Sequence, residues 1–198
     1  MRQRTWDEPH ACRAAPLGRP GPLPPPVRAL DARSWFDPAY AGEQVPLLDE
    51  VLSLTGLEFE LELKGFGAAF LEAAVTTVIA HEAMGYTEFT SSNLPMLVAL
   101  KRAHPEARLG LFMRRREEWM PESIFLRQAV SVATLGGFDV VHIYACDITP
   151  SIVAGLRGEG FVVHANDAAD AEDIRRAIVS GVDRFSANEI ALAVELAT

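Results

Sequence analysis

The chain has 198 residues, of which 49% are hydrophobic, and it carries a formal net charge of −9. That length and hydrophobic content favour one globular domain with a sizeable core. The acidic balance argues against nucleic acid as a partner, because surfaces that bind nucleic acid are basic. Two cysteines, Cys12 and Cys146, are too few for a disulfide framework or a thiolate zinc cluster.

No stretch of the sequence is apolar for long enough to span a membrane, since the longest uninterrupted apolar run is Leu94 to Leu100. The N-terminus lacks the apolar segment of a secretory signal peptide. We therefore expect a cytoplasmic protein with no membrane span.

Residues 1 to 30 differ in composition from the rest of the chain. They hold seven of the thirteen prolines and five arginines against two acidic residues, without hydrophobic periodicity. Such a composition is typical of a disordered segment, so we predict disorder over 1–30 and a folded domain over 31–198. An arm that binds nucleic acid is the functional alternative, although five scattered arginines give it little support.

From residue 57 onward, strand patterns alternate with helix patterns. Short runs rich in Val, Ile, Leu and Phe predict strands at 57–63, 85–91, 108–112, 138–143, 160–164 and 182–186. A turn-rich loop and a helix led by Pro46 come first, and helical spacing then predicts helices at 68–82, 93–103, 121–135, 150–156, 170–180 and 188–197. Such alternation implies parallel strands with right-handed crossovers.

Parallel strands of this kind form either an open sheet or a barrel. Neither of the glycine-rich phosphate loops of open-sheet nucleotide folds, GxGxxG or GxxxxGKS/T, occurs in the sequence. Strand starts recur every 22 to 30 residues, close to the spacing of barrel units. We predict an incomplete TIM-type (β/α) barrel of the α/β class, with about six of eight units. Its open edges, 57–63 and 182–186, should favour self-association.

Residues 57 to 65, LEFELELKG, alternate apolar with charged side chains, as in a strand with one apolar and one charged face. The charged face carries Glu58, Glu60, Glu62 and Lys64. Carboxylates on alternate residues repel one another unless water, a cation or a counter-charge relieves them. One explanation is an edge strand protected by charge. The other is that Glu62 and Lys64 are a metal ligand and a phosphate-binding cation.

Three segments carry a resemblance to a known family. They are RALDARSWFDPAYAGEQVPLLDEVLSLTG followed by FELELKG, then FTSSNLPMLVALKRAHPEARLGLF, and GFVVHANDAADAEDIRRAIVSGVDRFSANEIALAVEL. In this order, over about residues 28 to 198, they resemble the glycerophosphodiester phosphodiesterases, with Ser91-Ser92-Asn93 at the family's Ser-Phe-Asn signature. The resemblance implies hydrolysis of a glycerophosphodiester to an alcohol and glycerol 3-phosphate, a reaction of lipid and glycerol metabolism.

The resemblance also assigns site residues. Glu62 matches the carboxylate that helps to hold a divalent cation, and Lys64 matches the residue that meets substrate phosphate. The implied cofactor is Mg²⁺ or Ca²⁺, since hard cations take oxygen ligands, and the implied partner is a small phosphodiester. Val163-His164-Ala165-Asn166 stands at the family's Trp-Thr-Val-Asn. Asn166 is therefore a candidate substrate contact and His164 a candidate acid or base.

Three family motifs are not found: a strand ending in His-Arg, a strand with Glu-x-Asp, and a His-Asp pair. The family's two histidines serve as general acid and base, so we expect an N-terminally incomplete member with little activity alone. The alternatives are a non-catalytic partial barrel that binds phosphate or a partner chain, and another barrel enzyme with Lys64 as a Schiff-base nucleophile. His142, Tyr144 and Cys146 alternate along one strand and are interpreted as lining or core.

Overall fold

The computed structural model describes residues 30, 31, 34, 35, 37–65 and 67–198. The disorder predicted for residues 1–30 therefore lies outside the described residues, apart from Leu30. The chain divides into two compact units, Met1–Leu47 and Leu48–Thr198. Within the described ranges, no helix combines the length and the apolar character needed to cross a membrane.

In the first unit, two aspartates hold a turn-rich loop. Asp31 accepts hydrogen bonds from the backbone N–H groups of Ser34 at 2.7 Å and Gly42 at 3.0 Å. Asp37 caps a 3₁₀ turn over Pro38–Tyr40 by accepting a backbone N–H bond. The turn-rich loop predicted before the first helix is confirmed for these residues.

The described part of the second unit contains a six-stranded parallel sheet with its strands in sequence order. The strands are β1 (Phe59–Glu62), β2 (Thr87–Thr90), β3 (Arg108–Phe112), β4 (Val140–Tyr144), β5 (Val162–Ala168) and β6 (Arg184–Ala187). An ion pair from β6 to β2 spans the curled sheet, and the predicted incomplete barrel is confirmed. β1 and β6 are its open edges, and self-association through them stays a prediction.

Helices connect the strands as predicted. They are α1 (Leu48–Leu52), α2 (Ala68–Ala80), α3 (Leu94–Ala103), α4 (Glu122–Gly136), α5 (Pro150–Gly158), α6 (Ala171–Ser180) and α7 (Ile190–Ala197). The first helix begins at Leu48, two residues later than the predicted start at Pro46, with Asp49 and Glu50 in its first turn. Carboxylates at these positions interact favourably with the positive end of the helix dipole.

Only β3 has the predicted bounds, and the other five strands each begin two residues later than predicted. β2 begins at Thr87 because Met84–Tyr86 form a 3₁₀ turn. β5 runs on to Ala168, with an irregular register where Asp167 has a φ of 57°. The sequence HANDAAD looks like a turn because of its Asn and Asp, but a bulge lets the strand continue. The extension carries Asn166 to the carboxyl end of the sheet.

One face of the sheet packs under the helices and forms the core. Its cluster joins strand residues to helix residues, among them Leu109, Leu111, Val141, Ile143, Val163, Val78, Leu97, Leu100, Ala133, Ile152 and Leu156. Burying such a side chain contributes about 1.5–3 kcal/mol. Because side chains alternate along a strand, the residues between these strand positions point to the concave face, where polar groups are free to assemble.

Candidate functional site

A row of residues lies across the concave face of the sheet, with one member from each strand. It consists of Glu60, Glu88, Gly110, His142, His164 and Arg184. Backbone register places Glu60 beside Glu88, His142 beside His164, and His164 beside Arg184. The curl of the sheet also brings residues of distant strands together, because Arg184 of β6 contacts Glu88 of β2.

Glu88 is the centre of this row. Its side chain is 1% exposed, its Oε1 is 2.5 Å from Nε2 of His142, and its Oε2 pairs with the Arg184 guanidinium. Burial by itself raises a carboxyl pKa, but the bonds from His142 and Arg184 outweigh it and hold the pKa of Glu88 below its ordinary value. Because an ionised carboxylate only accepts hydrogen bonds, Nε2 of His142 carries the proton.

Gly110 makes the Glu88–His142 contact possible. β3 lies between β2 and β4, so the two side chains meet over the backbone of β3. A Cβ atom on Gly110 would overlap Oε1 of Glu88, Nε2 of His142 and Cγ2 of Thr90. The contact between Glu88 and His142 therefore requires a glycine at position 110.

His164 is buried, and within the described part of the chain neither of its ring nitrogens has a hydrogen-bond partner. Its ring stacks on that of His142, with centroids 4.4 Å apart and planes inclined by 28°. Burial, together with His142 and Arg184, lowers the pKa of His164 to about 3. At neutral pH it is an uncharged imidazole with one nitrogen lone pair available.

Glu60 faces both histidines. Its carboxylate oxygens lie 3.5 Å from Nδ1 of His164 and 3.9 Å from Nδ1 of His142. Burial, aided by the nearby Glu88, raises the pKa of Glu60, although His142 opposes the change. Among the described residues, Glu60, His142 and His164 each offer one ligand atom, all within 4.8 Å of one another. We call these three residues the Glu-His-His group.

The alternating glutamates of residues 57–65 each have a basic neighbour. Glu58 lies 3.7 Å from Arg108, Glu60 faces the histidines, and Glu62 pairs with Lys64 at 3.0 Å. Glu58 and Glu62 therefore have the counter-charges that the sequence pattern required, and Glu60 has two imidazoles beside it. Because β1 is also an edge strand, protection of the edge by charge and a binding role are compatible.

A second polar region lies at the carboxyl ends of the strands. A cleft of about 670 Å³, here called the mouth cleft, is lined in part by Glu62, Lys64, Asn166 and Asn188. Glu62 and Lys64 thus face the same side, at the strand ends, as their spacing predicts. The Lys64 side chain is 77% exposed, so an anionic ligand can reach it.

The other candidates lie in different places. His164 lines a separate cleft of about 570 Å³ between the two edge strands, here called the seam cleft. Asn166 connects the regions, since its Oδ1 is 3.0 Å from Nδ1 of His142. His142 belongs to the buried row, whereas Cys146 does not continue the alternation of β4. It lies in a 3₁₀ turn, Ala145–Asp147, and is exposed.

The Ser91-Ser92-Asn93 motif holds the end of β2 in place. Oγ of Ser91 donates to the carbonyl of Leu63 at 2.7 Å and accepts the N–H of Asn93 at 3.1 Å. The Asn93 side chain caps α3 by accepting the N–H of Met96. These bonds fix the end of β1, directly before Lys64.

Sequence reasoning missed Glu88, Gly110 and Arg184 as members of the site. Glu88 and Arg184 are 96 residues apart, and neither belongs to a recognisable motif. One signal could have identified Glu88, which is the only charged residue in the predicted strand 85–91. A charge there must be paired to be buried.

No family model and no curated protein sequence matches the chain. Solved structures of similar fold include one assigned as a glycerophosphoryl diester phosphodiesterase from Silicibacter pomeroyi DSS-3. It has a TM-score of 0.68 at 22% identity, over 79% of this chain and 58% of that one. Another, assigned as a glycerophosphodiester phosphodiesterase from Galdieria sulphuraria, has a TM-score of 0.71 at 18% identity, over 87% and 69%.

A phosphodiesterase from Oleispira antarctica, in complex with the product sn-glycerol-3-phosphate, has a TM-score of 0.69 at 23% identity, over 85% and 69%. The chain spans less than two thirds of the length of the S. pomeroyi protein, of which it covers 58%. At these identities the likenesses show a shared barrel fold, in agreement with the sequence resemblance.

Gly110→Ala is expected to lower the free energy of unfolding by about 1–3 kcal/mol, the usual cost of overpacking, because the new methyl group separates Glu88 from His142. Urea denaturation measures this change. Gly158→Ala is the control, since a Cβ there has no neighbour within 4 Å and the change should be under about 1 kcal/mol. Equal effects of the two substitutions would contradict the assigned role of Gly110.

The pKa of His164 predicts a pH dependence of stability. Unfolded histidine titrates near 6.5, whereas folded His164 has a pKa of about 3, so the unfolded chain takes up the proton first as pH falls. The contribution of His164 to the free energy of unfolding is complete above pH 6.5 and decreases as the pH falls towards 3. Between pH 7 and pH 5 the loss should be about 2 kcal/mol.

Denaturant titrations at several pH values, with a chelator present, measure this loss. In His164→Gln the fall in stability between pH 7 and pH 5 should be smaller by about that amount. Identical pH profiles for the two proteins would show that folded His164 is not held neutral.

Proposed function

We propose that this chain is a phosphoric diester hydrolase-type barrel of the glycerophosphodiester phosphodiesterase kind, whose mouth cleft binds the phosphate of a glycerophosphodiester. One observation carries the proposal. Residues from separate segments, Glu62, Lys64, Asn166 and Asn188, line a single cleft at the carboxyl ends of the strands. In (β/α) barrel enzymes the active site is formed at that end of the barrel.

The lining of the mouth cleft suits a phosphate attached to a polyol. Lys64 is the only basic residue among the described residues that line it, beside the carboxylates of Glu60, Glu62 and Asp167. Its ammonium group would contact the non-bridging oxygens. Ser92, Ser186 and Asn188 also line the cleft and offer neutral donors and acceptors for glycerol hydroxyls. The O. antarctica phosphodiesterase was solved with sn-glycerol-3-phosphate, and we propose the same class of ligand here.

Glu62 competes with a ligand for Lys64. The two side chains form an ion pair at 3.0 Å on a largely exposed surface, and such pairs contribute at most about 1 kcal/mol. A phosphate monoester such as glycerol 3-phosphate carries more charge than one carboxylate and can therefore replace Glu62 as the partner of Lys64. Without a metal ion, neutralising Glu62 should make phosphate binding tighter.

The family resemblance implies Mg²⁺ or Ca²⁺ held in part by Glu62. Such ions take about six or more oxygen ligands, and affinity follows the number of carboxylates. The one group of described residues spaced to share a metal ion does not include Glu62, and Glu62 is paired with an ammonium group. The described residues of the mouth do not fit a tightly held hard cation, so no step of the reaction is assigned to one.

This incomplete set of oxygen ligands favours a second candidate function, a non-catalytic barrel that binds phosphate or a partner chain. The Schiff-base alternative finds no support, because a nucleophilic lysine needs desolvation or a cationic neighbour. Lys64 is 77% exposed and has a carboxylate beside it. His164 remains a proposed base. As a neutral buried imidazole it can accept a proton, but it has no second ring proton to donate as an acid.

Binding of glycerol 3-phosphate to the metal-free chain tests the mouth cleft. Lys64→Met should weaken binding roughly 10- to 100-fold, since a hydrogen bond to a charged group contributes about 1.5–3 kcal/mol. Glu62→Gln should tighten it, because the competing carboxylate is gone. Isothermal titration calorimetry measures both changes, with Arg102→Met on the exposed end of α3 as the control. Wild-type affinity in Lys64→Met would remove the mouth cleft from consideration.

Hydrolysis by the chain alone is expected to be near background, even with Mg²⁺ or Ca²⁺ supplied. The family's acid and base histidines are not found, and loss of general acid–base catalysis costs about 10²–10⁴-fold. The assay measures glycerol 3-phosphate released from glycerophosphocholine by the wild type, Glu62→Gln and His164→Gln. Clear wild-type turnover that disappears in Glu62→Gln would contradict this expectation and assign catalysis to the mouth cleft.

A further inference from the structure

We propose that the Glu-His-His group, Glu60, His142 and His164, binds a first-row transition-metal dication of the zinc type, at a site below the mouth cleft that shares only Glu60 with its lining. Glu60 precedes Glu62 by two residues on β1, which places the site about 6.6 Å deeper along the strand. The proposal goes beyond the phosphate-binding function and does not depend on it, because the metal can be titrated without a substrate.

The ligand set determines which class of metal fits. Two imidazole nitrogens and one carboxylate suit zinc and its neighbours in the first transition row, whereas Mg²⁺ and Ca²⁺ take oxygen ligands almost exclusively. Two histidines and a glutamate are also the protein ligands of one common kind of zinc site, in which the fourth position stays open to water or substrate.

The spacing of the ligand atoms is close to what such an ion requires. Ligands about 2.0–2.1 Å from a tetrahedral zinc ion lie roughly 3.3 Å from one another. Oxygens of Glu60 are 3.5 Å from Nδ1 of His164 and 3.9 Å from Nδ1 of His142, and all three ligand atoms lie within 4.8 Å. Small side-chain rotations would bring them to bonding distance.

Glu88 prepares His142 for this role. Metal-binding histidines usually donate the N–H of the other ring nitrogen to a carboxylate, which fixes the tautomer and makes the ligand more basic. Nε2 of His142 bonds to Glu88 at 2.5 Å, so the atom left to bind a metal is Nδ1, which faces Glu60. Nδ1 is also 3.0 Å from Asn166, whose amide can turn its N–H₂ towards that nitrogen when no metal is bound.

His164 supplies a second, independent observation. It is 6% exposed, and among the described residues neither of its ring nitrogens has a hydrogen-bond partner. Buried polar atoms are nearly always satisfied, and an exception calls for a specific cause such as a bound ion. A metal ion bonded to Nδ1 would satisfy the ring and use the neutral form that coordination requires.

Charge and access also favour a cation. Three carboxylates, Glu58, Glu60 and Glu88, face two guanidiniums, Arg108 and Arg184. With neutral histidines this leaves one negative charge in excess. Glu60 is 31% exposed and lines both the mouth cleft and the seam cleft, so an ion can enter the site without unfolding of the sheet.

Calorimetric titration of the chelator-treated full chain with ZnCl₂ tests the site, and the visible absorption of bound Co²⁺ reports the ligand geometry. We expect one tight Zn²⁺ site that excess Mg²⁺ does not displace, and an intense tetrahedral Co²⁺ spectrum. Glu60→Gln and His164→Gln should each weaken Zn²⁺ binding more than about 100-fold, since losing an outer-shell partner alone costs about 10–100-fold. Thermal unfolding confirms that each variant is folded.

His81→Gln, His104→Gln and His10→Gln are the matched controls and should retain the affinity of the wild type. His81 and His104 each lie beside a carboxylate at the surface, where adventitious zinc would bind. Lys64→Met should also bind Zn²⁺ normally, which separates failure of this site from failure of the mouth cleft. No Zn²⁺ binding by the folded wild type, or equal losses in the control variants, would overturn the proposal.

Discussion

The concave face of the sheet depends on one buried carboxylate. Glu88 is 1% exposed and is bonded to His142 and Arg184, which come from β4 and β6. Removing one partner of a buried ion pair typically costs about 3–5 kcal/mol, because the other charge is left without compensation. The pairing therefore fixes the curl of the sheet over five strands and sets the tautomer of His142, on which the Glu-His-His group depends.

A single strand serves two chemically different regions. Glu62 at the end of β1 lies beside exposed Lys64, in the hydrated mouth cleft. Glu60, two residues earlier on the same face, lies beside two buried imidazoles, whose ring nitrogens are its neighbouring ligand atoms. Depth below the strand ends therefore decides the ligand that each carboxylate suits. An exposed carboxylate and ammonium suit a phosphate ester, and the Glu-His-His group, with two buried imidazoles, suits a transition metal.

Two features of the backbone also position the site residues. Gly110 leaves room for Glu88 and His142 to meet, and the bulge at Asp167 extends β5 so that Asn166 reaches both regions. Asn166, like Glu60 and Phe112, lines the mouth cleft and contacts the ring of His142.

Local patterns were enough to predict the six strands, the connecting helices, the barrel class and the shared orientation of Glu62 and Lys64. Each of these follows from a short-range periodicity, 2.0 residues for a strand and 3.6 for a helix. The boundaries of β5 needed the structure, because a bulge continues a strand through residues that normally form turns. Glu88, Gly110 and Arg184 also needed it. Their contacts join strands up to 96 residues apart, and only the register and curl of the folded sheet bring such distant side chains together.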